Sequence, residues 1–301
     1  MSTVAISGAR RTSPDRQASR LLLYAVVIVG AIVFMLPFLF ALTSSLKTPQ
    51  EIRIFPPTVF PAVPQWKNYP TLFEMANLPY GIWYDNSLII TILATVGTVL
   101  SASASAYGFA RFRWPGRDVF FTILLATLIL PEQVVLIPRF LMFHLVPSAL
   151  IGHTMIDTWW PLIIPSWFGG GAFSVFLLRQ FFLQIPHEFE EAAVIDGAST
   201  VSIFWQIVLP LSKPALATVA IFAFLGHWNS FLEPLIFLTS TDKFPLSVGL
   251  RWLQQNPADP TIPQDHLLMA GSVLMVVPPV LIFFSMQRYF IRGVVMSGIK
   301  G

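Results

Sequence analysis

Glu191 to Pro210 reads EAAVIDGASTVSIFWQIVLP, a polar stretch set between two long apolar segments. Just ahead of it, Pro186 and the acids Glu188, Glu190 and Glu191 sit where a helix begins, because proline fits a first turn and negative charge favours the positive end of the helix dipole. Phe189, Ala192 and Ala193 follow at i, i+3 and i+4, a narrow face of small residues beside an acidic one. Asp196-Gly197 is the stop, since glycine accepts the left-handed conformation that ends helices. Ser199 or Thr200 caps a second helix, in which Val201, Phe204, Trp205 and Val208 repeat at i, i+3, i+4 and i+7. Pro210 and Pro214 close it. A helix-turn-helix-like insert in this position is an element for docking.

Composition says what lies on either side. The 301 residues are 55% hydrophobic and only 11% charged, with a mean hydropathy of +0.69, which places the chain in a membrane. Apolar stretches of membrane length fall at about 21–43, 87–110, 119–138, 159–178, 214–238 and 268–291. The expected fold is therefore an all-α membrane protein: a polar tail over 1–20, then one six-span domain over 21–301. The first outer loop, 44–86, is rich in proline and aromatic residues and is expected to be extended and packed on the mouth of the bundle.

Even parity puts both termini on one side. With that side in the cytoplasm, it carries twelve Lys and Arg, among them Arg10, Arg11, Arg16, Arg20, Arg111, Arg113 and Arg117, against six on the other face, including Lys47, Arg139 and Lys243. That asymmetry puts the termini and the 179–213 loop inside. The net charge of +3 is then a topological signal, and no basic patch with interleaved aromatics suggests nucleic acid.

Catalytic and metal constellations are missing from the sequence. There is no cysteine, the five histidines are scattered without an i, i+4 pair, and no phosphate-cradling G-x-x-x-x-G-K-[ST] occurs. The expectation is a chain that is not an enzyme and holds no cofactor or metal of its own.

Glu191-Ala192-Ala193, Asp196-Gly197 and Ile207-x-Leu209-Pro210 resemble the EAA signature of the permease subunits of binding-protein-dependent ATP-binding-cassette importers. Ser45-Leu46-Lys47 with Glu51, Asn68-Tyr69, Trp228-Asn229, Pro234-Leu235 and the Gly298-Ile299-Lys300-Gly301 tail are similar to the carbohydrate-uptake, maltose-type branch. The resemblance implies the importer permease fold, half of the translocation pore of an ATP-driven sugar importer, and a prokaryotic inner membrane. It also implies partners: a second homologous permease, an ATPase dimer that binds ATP and Mg, an extracytoplasmic sugar-binding protein, and the sugar and membrane lipid themselves. Glu191, Ala192, Ala193, Asp196, Gly197, Leu209 and Pro210 would form the ATPase-coupling element. The competing reading is a secondary transporter or facilitator that works without ATP, which leaves that element without a task.

Three features bear on a substrate path. Span two carries Gly97, Ser101 and Ser105 beside Ala102, Ala106 and Ala110, a small-residue stripe for close helix packing. Span four is interrupted by Pro161, Pro165 and Gly169-Gly170-Gly171, so its backbone needs polar company other than its own helix. Span five places His227, Trp228, Asn229 and Glu233 at or near membrane depth, where polar groups are costly unless they face a cavity or a partner. Gly170, Trp228, Asn229 and Glu233 are the residues expected along the path. Glu132 is read as interfacial.

Overall fold

The computed structural model describes residues 14–75, 78–255 and 264–297, and among these there is no strand. The helices are α1 (Pro14–Ser45), α2 (Asn68–Glu74), α3 (Tyr80–Arg111), α4 (Arg117–Ala126), α5 (Glu132–Ile151), α6 (Trp160–Ile163), α7 (Ala172–Phe182), α8 (Glu188–Ile195), α9 (Thr200–Ile203), α10 (Leu209–Leu211), α11 (Lys213–Trp228), α12 (Leu232–Phe237), α13 (Leu246–Gln255) and α14 (Asp265–Ser297). Five stretches among the described residues are long and apolar enough to cross a membrane, and six if α9–α10 and α11, bent by 81°, count as one.

α1 begins at Pro14, inside the stretch expected as a polar tail. The rest of that tail and the Gly298–Gly301 motif lie outside the described residues. Two expected spans are broken. The stretch 119–138 falls on α4 and α5, separated at Leu130, whose backbone is extended because the following Pro131 disfavours helical geometry before it. The stretch 214–238 falls on α11 and α12. Pro234 has no N–H to offer the Ser230 carbonyl, and the Ser247 hydroxyl donates to that carbonyl instead at 2.6 Å.

α3 is the central post, packed against α7, α11 and α13. Its small residues explain the close approach. A Cβ on Gly97 would stand 2.5 Å from the Trp167 ring, and one on Gly170 would stand 2.5 Å from the Ala102 backbone nitrogen. Two apolar cores result. One, nearest α2 and α13, gathers Tyr80, Trp83, Trp228 and Phe237, and the other, nearest α8, gathers Ala102, Ala106, Leu178 and Phe182. Lipid is as apolar as these aromatic and aliphatic side chains, so they hold the broken spans together by close van der Waals packing and not by leaving water.

The segment between α1 and α2 is knitted by residues that the sequence had grouped only by resemblance. Asn68 Nδ2 donates to the carbonyls of Ser45 (2.8 Å) and Lys47 (3.0 Å), the Ser45 and Tyr69 hydroxyls lie 2.8 Å apart, and the Ala62 amide donates to Glu51 Oε1 at 2.8 Å. The buried Lys47 ammonium donates to the Thr58 carbonyl.

A second clamp ties 152–159 to 239–245. Asp157 holds a left-handed φ of 60°; its Oδ1 accepts the Thr239 and Ser240 amides at 2.9 Å each, and its Oδ2 accepts the Ser240 hydroxyl at 2.6 Å and Lys243 Nζ at 2.8 Å. Partial burial alone would raise the Asp157 pKa, but these donors outweigh it and hold the carboxyl well below the usual aspartate range. A depressed folded pKa stabilises the clamp above the ordinary aspartate value of about 3.9, and the contribution is lost as pH falls toward the folded value. Asp157→Asn is therefore expected to lower the melting temperature of the purified complex at pH 7 and to shrink the gap from wild type as pH drops below about 4. A gap that widens on acidification would reject this assignment.

Candidate coupling hairpin and central cavity

The hairpin is built as its sequence dictates. Gly197 has φ +83°, the Ala198 amide donates to the Ala193 carbonyl at 2.8 Å and the Gly197 amide to the Val194 carbonyl at 3.0 Å, the paired bonds of a Schellman closure. Of the two possible caps, Ser199 is the one used: its side chain accepts the Ser202 amide at 3.3 Å. α9 then widens into a π-turn over Phe204–Val208 before α10.

One side of the hairpin is rooted and the other is free. Ala193, Ile203 and Val208 enter the core of α3, α7 and α11, and Leu209 packs against it. Glu191, Ala192, Asp196, Gly197 and Pro210 are exposed, as are the apolar Ile195 (86%), Val201 (67%) and Trp205 (53%). Val201 and Trp205 thus leave the apolar face that their spacing predicts for them.

Glu190 is not the solvated carboxylate that its loop position suggests. It pairs with Arg111 at 2.8 Å, with side chains only 16% and 2% exposed. Arg111 also donates to the Ile185 carbonyl at 2.7 Å and reaches the His187 ring at 3.1 Å. A charge at the end of α3, legible in sequence only as a topology signal, is the strut between the hairpin and the central helix.

The second site is an open cavity of about 420 Å3 lined by α3, α5, α6, α7, α11 and α12. Gly170 and Glu233 line it, together with Glu132, Arg139, Ser174 and His227. Arg139 and Glu233 form an ion pair across it. His227 Nε2 lies 3.4 Å from both the Thr98 and the Ser166 hydroxyls, and Ser101 donates to the Ser166 carbonyl at 2.9 Å, so the broken backbone of the fourth span is met by polar groups of α3.

Trp228 and Asn229 do not line this cavity. Trp228 is 2% exposed, donates its indole N–H to the Met275 carbonyl at 3.0 Å and stacks on Phe224, so its ring is consumed by packing. Asn229 ends α11, and its amide donates to the Leu225 carbonyl at 2.8 Å. Glu132, read from the sequence as interfacial, and Arg139, counted there only as an outer-face charge, are charged residues of the cavity. Their signal was present in retrospect: charges just after a proline break inside an apolar run.

Membrane-length helices around a polar cavity, with a closed hairpin presented on one face, fit a component of a membrane transport system. A family model described as the binding-protein-dependent transport system inner membrane component matches residues 97–296, and the chain belongs to that family of multi-pass inner-membrane permeases. It is 30% identical over 287 residues to the sn-glycerol-3-phosphate transport system permease protein UgpE of Yersinia enterocolitica, covering 94% of this chain and 98% of that one. It is 32% identical over 293 residues to the arabinooligosaccharides transport system permease protein AraQ of Bacillus subtilis, covering 97% and 99%. The fold is also that of a chain in a bacterial ABC transporter involved in the import of the acidic polysaccharide alginate, with a TM-score of 0.78 at 22% identity, over 93% of this chain and 99% of that one.

Proposed function

We propose that the chain forms half of the translocation pore of an ATP-driven sugar importer and that the α8–α9 hairpin couples it to a separate ATPase. The observation that carries this reading is the two-sidedness of the hairpin: rooted in the α3 core through Ala193 and Ile203, and offering exposed acidic and apolar residues outward. A facilitator working alone has no use for such a surface. In this reading Glu191, Ala192, Asp196, Gly197 and Pro210 face the ATPase, while Ala193 and Leu209 transmit its movement inward. The termini and the hairpin lie in the cytoplasm, in keeping with the twelve-to-six distribution of Lys and Arg. ATP and Mg bind the partner ATPase dimer, a second permease completes the pore, and an extracytoplasmic binding protein delivers sugar to the opposite face. The cavity containing Gly170 and Glu233 is this chain's share of the path.

The test is a pair of substitutions in the assembled complex. Gly197 has open space around its Cα, so Gly197→Pro acts through backbone alone; the lost left-handed turn costs on the order of 1 kcal/mol or more and swings α9 away from α8. Glu191→Lys reverses charge on the presented face without touching the core. Both variants are expected to keep ATPase bound in lower amount and to cut sugar uptake per ATP hydrolysed at least severalfold. Normal uptake with normal coupling in both would remove the hairpin from the mechanism.

A further inference from the structure

We propose that the central cavity selects an uncharged, hydroxyl-rich solute and disfavours anionic ones, so that the substrate is a neutral sugar and not a phosphorylated or uronate-type one. The inference rests on the sugar-importer reading and narrows it. Its basis is the charge that lines the cavity. Two carboxylates, Glu132 and Glu233, and one guanidinium, Arg139, face the same space of about 420 Å3. The guanidinium is already engaged by Glu233, with side chains 23% and 16% exposed.

An anionic substrate is held best by a cation with free donors, because a phosphate or carboxylate moved out of water needs charge-assisted hydrogen bonds. Here Arg139 would have to leave Glu233, stranding a partly buried carboxylate, and Glu132 would still repel the incoming charge. A neutral polyol meets the opposite situation. The ion pair, Ser174, Ser230 and His227 offer acceptors and donors for hydroxyls, and Phe173 and Phe222 offer apolar ring faces in the same wall. With two carboxylates against one guanidinium, the cavity is net negative by one charge when the histidine is left out, and no cation free of a carboxylate partner is among the residues that line it.

The cysteine-free chain allows the field to be read directly. Ser174→Cys, placed on the cavity wall in a complex whose partner subunits are also free of cysteine, is reacted at pH 8 with a cationic trimethylammonium-ethyl and an anionic sulfonato-ethyl methanethiosulfonate. Each rate is divided by that for a small free thiol. The expected cation-to-anion ratio is about tenfold, the size for one net charge acting on two oppositely charged probes at about 6 Å through a water-filled space with a dielectric of about 80. Adding Glu132→Gln and Glu233→Gln leaves Arg139 as the surviving charge and is expected to bring the ratio below one.

A ratio at or below one with Glu132 and Glu233 intact would overturn the proposal. So would uptake of sn-glycerol 3-phosphate or a trigalacturonate by the intact complex in proteoliposomes at a rate matching that of arabinotriose. Failure of the importer reading looks different: no ATP-dependent uptake of any solute in a panel of neutral and acidic sugars that includes these three, whatever the thiol ratio.

Discussion

Arg111→Met is expected to destabilise the assembled chain by about 3 to 5 kcal/mol, the cost of stripping one partner from a buried ion pair. Glu190 would remain 16% exposed with no countercharge, and the Ile185 carbonyl would lose its guanidinium donor. The consequence reaches beyond stability, because Arg111 ends α3 while Glu190 belongs to α8. Without the pair, the hairpin rests on apolar packing, that of Ala193, Ile203, Val208, Phe204 and Leu209 among it, and its motion is no longer passed to the central helix through a directional contact. Binding-protein-stimulated ATPase activity and uptake should therefore part company: hydrolysis persists and uptake falls by an order of magnitude or more. The double variant Arg111→Met, Glu190→Met separates the two effects. Removing both charges is expected to restore most of the stability, since matched apolar pairs cost little, but not the coupling. Recovery of both would make the pair a packing device only.

Gly170→Ala is expected to cost about 3 kcal/mol and to displace the broken fourth span, whereas Gly169→Ala next to it should cost about 1 kcal/mol. Both residues have positive φ, 62° and 90°, so each alanine carries a similar backbone penalty. They differ in what the new methyl meets. At Gly170 it would stand 2.5 Å from the Ala102 nitrogen and 2.6 Å from the Thr98 carbonyl oxygen, backbone atoms that cannot turn aside. At Gly169 nothing lies within 4 Å. Thermal melts of the two purified complexes give the comparison, and equal losses would mean that α3 does not bear on the fourth span as described. Because Gly170 also lines the cavity, the alanine is expected to lower uptake more than the stability loss alone explains.

What could be read from the sequence was local. The helix stop at Gly197 and a cap at Ser199 or Thr200 depend on residues within a turn of each other, and a glycine after a helix or a hydroxyl residue before one carries its meaning alone. The break at Gly169–Gly171 was equally visible. Long-range pairings were not. Arg139 and Glu233 are 94 positions apart, Arg111 and Glu190 are 79 apart, and neither charge announces its partner. Trp228 runs the other way: beside polar residues at membrane depth it reads as a path residue, but in the structure its N–H is taken by the Met275 carbonyl and it does not line the cavity. The kink at Leu130 follows from Pro131, yet a continuous apolar run concealed that the helix resumes beyond it and carries Arg139 into the cavity.

The coupling role of the hairpin is tested most directly by site-specific photocrosslinking in membranes. A benzophenone amino acid at Glu191 or Trp205, both exposed on the hairpin, is compared with one at Gln50, exposed beyond α1 on the opposite face. Crosslinks from 191 and 205 to the ATPase subunit, with none from position 50, are the expected result. Crosslinks from position 50 to the ATPase, or none from the hairpin in a complex that still hydrolyses ATP and imports sugar, would contradict it.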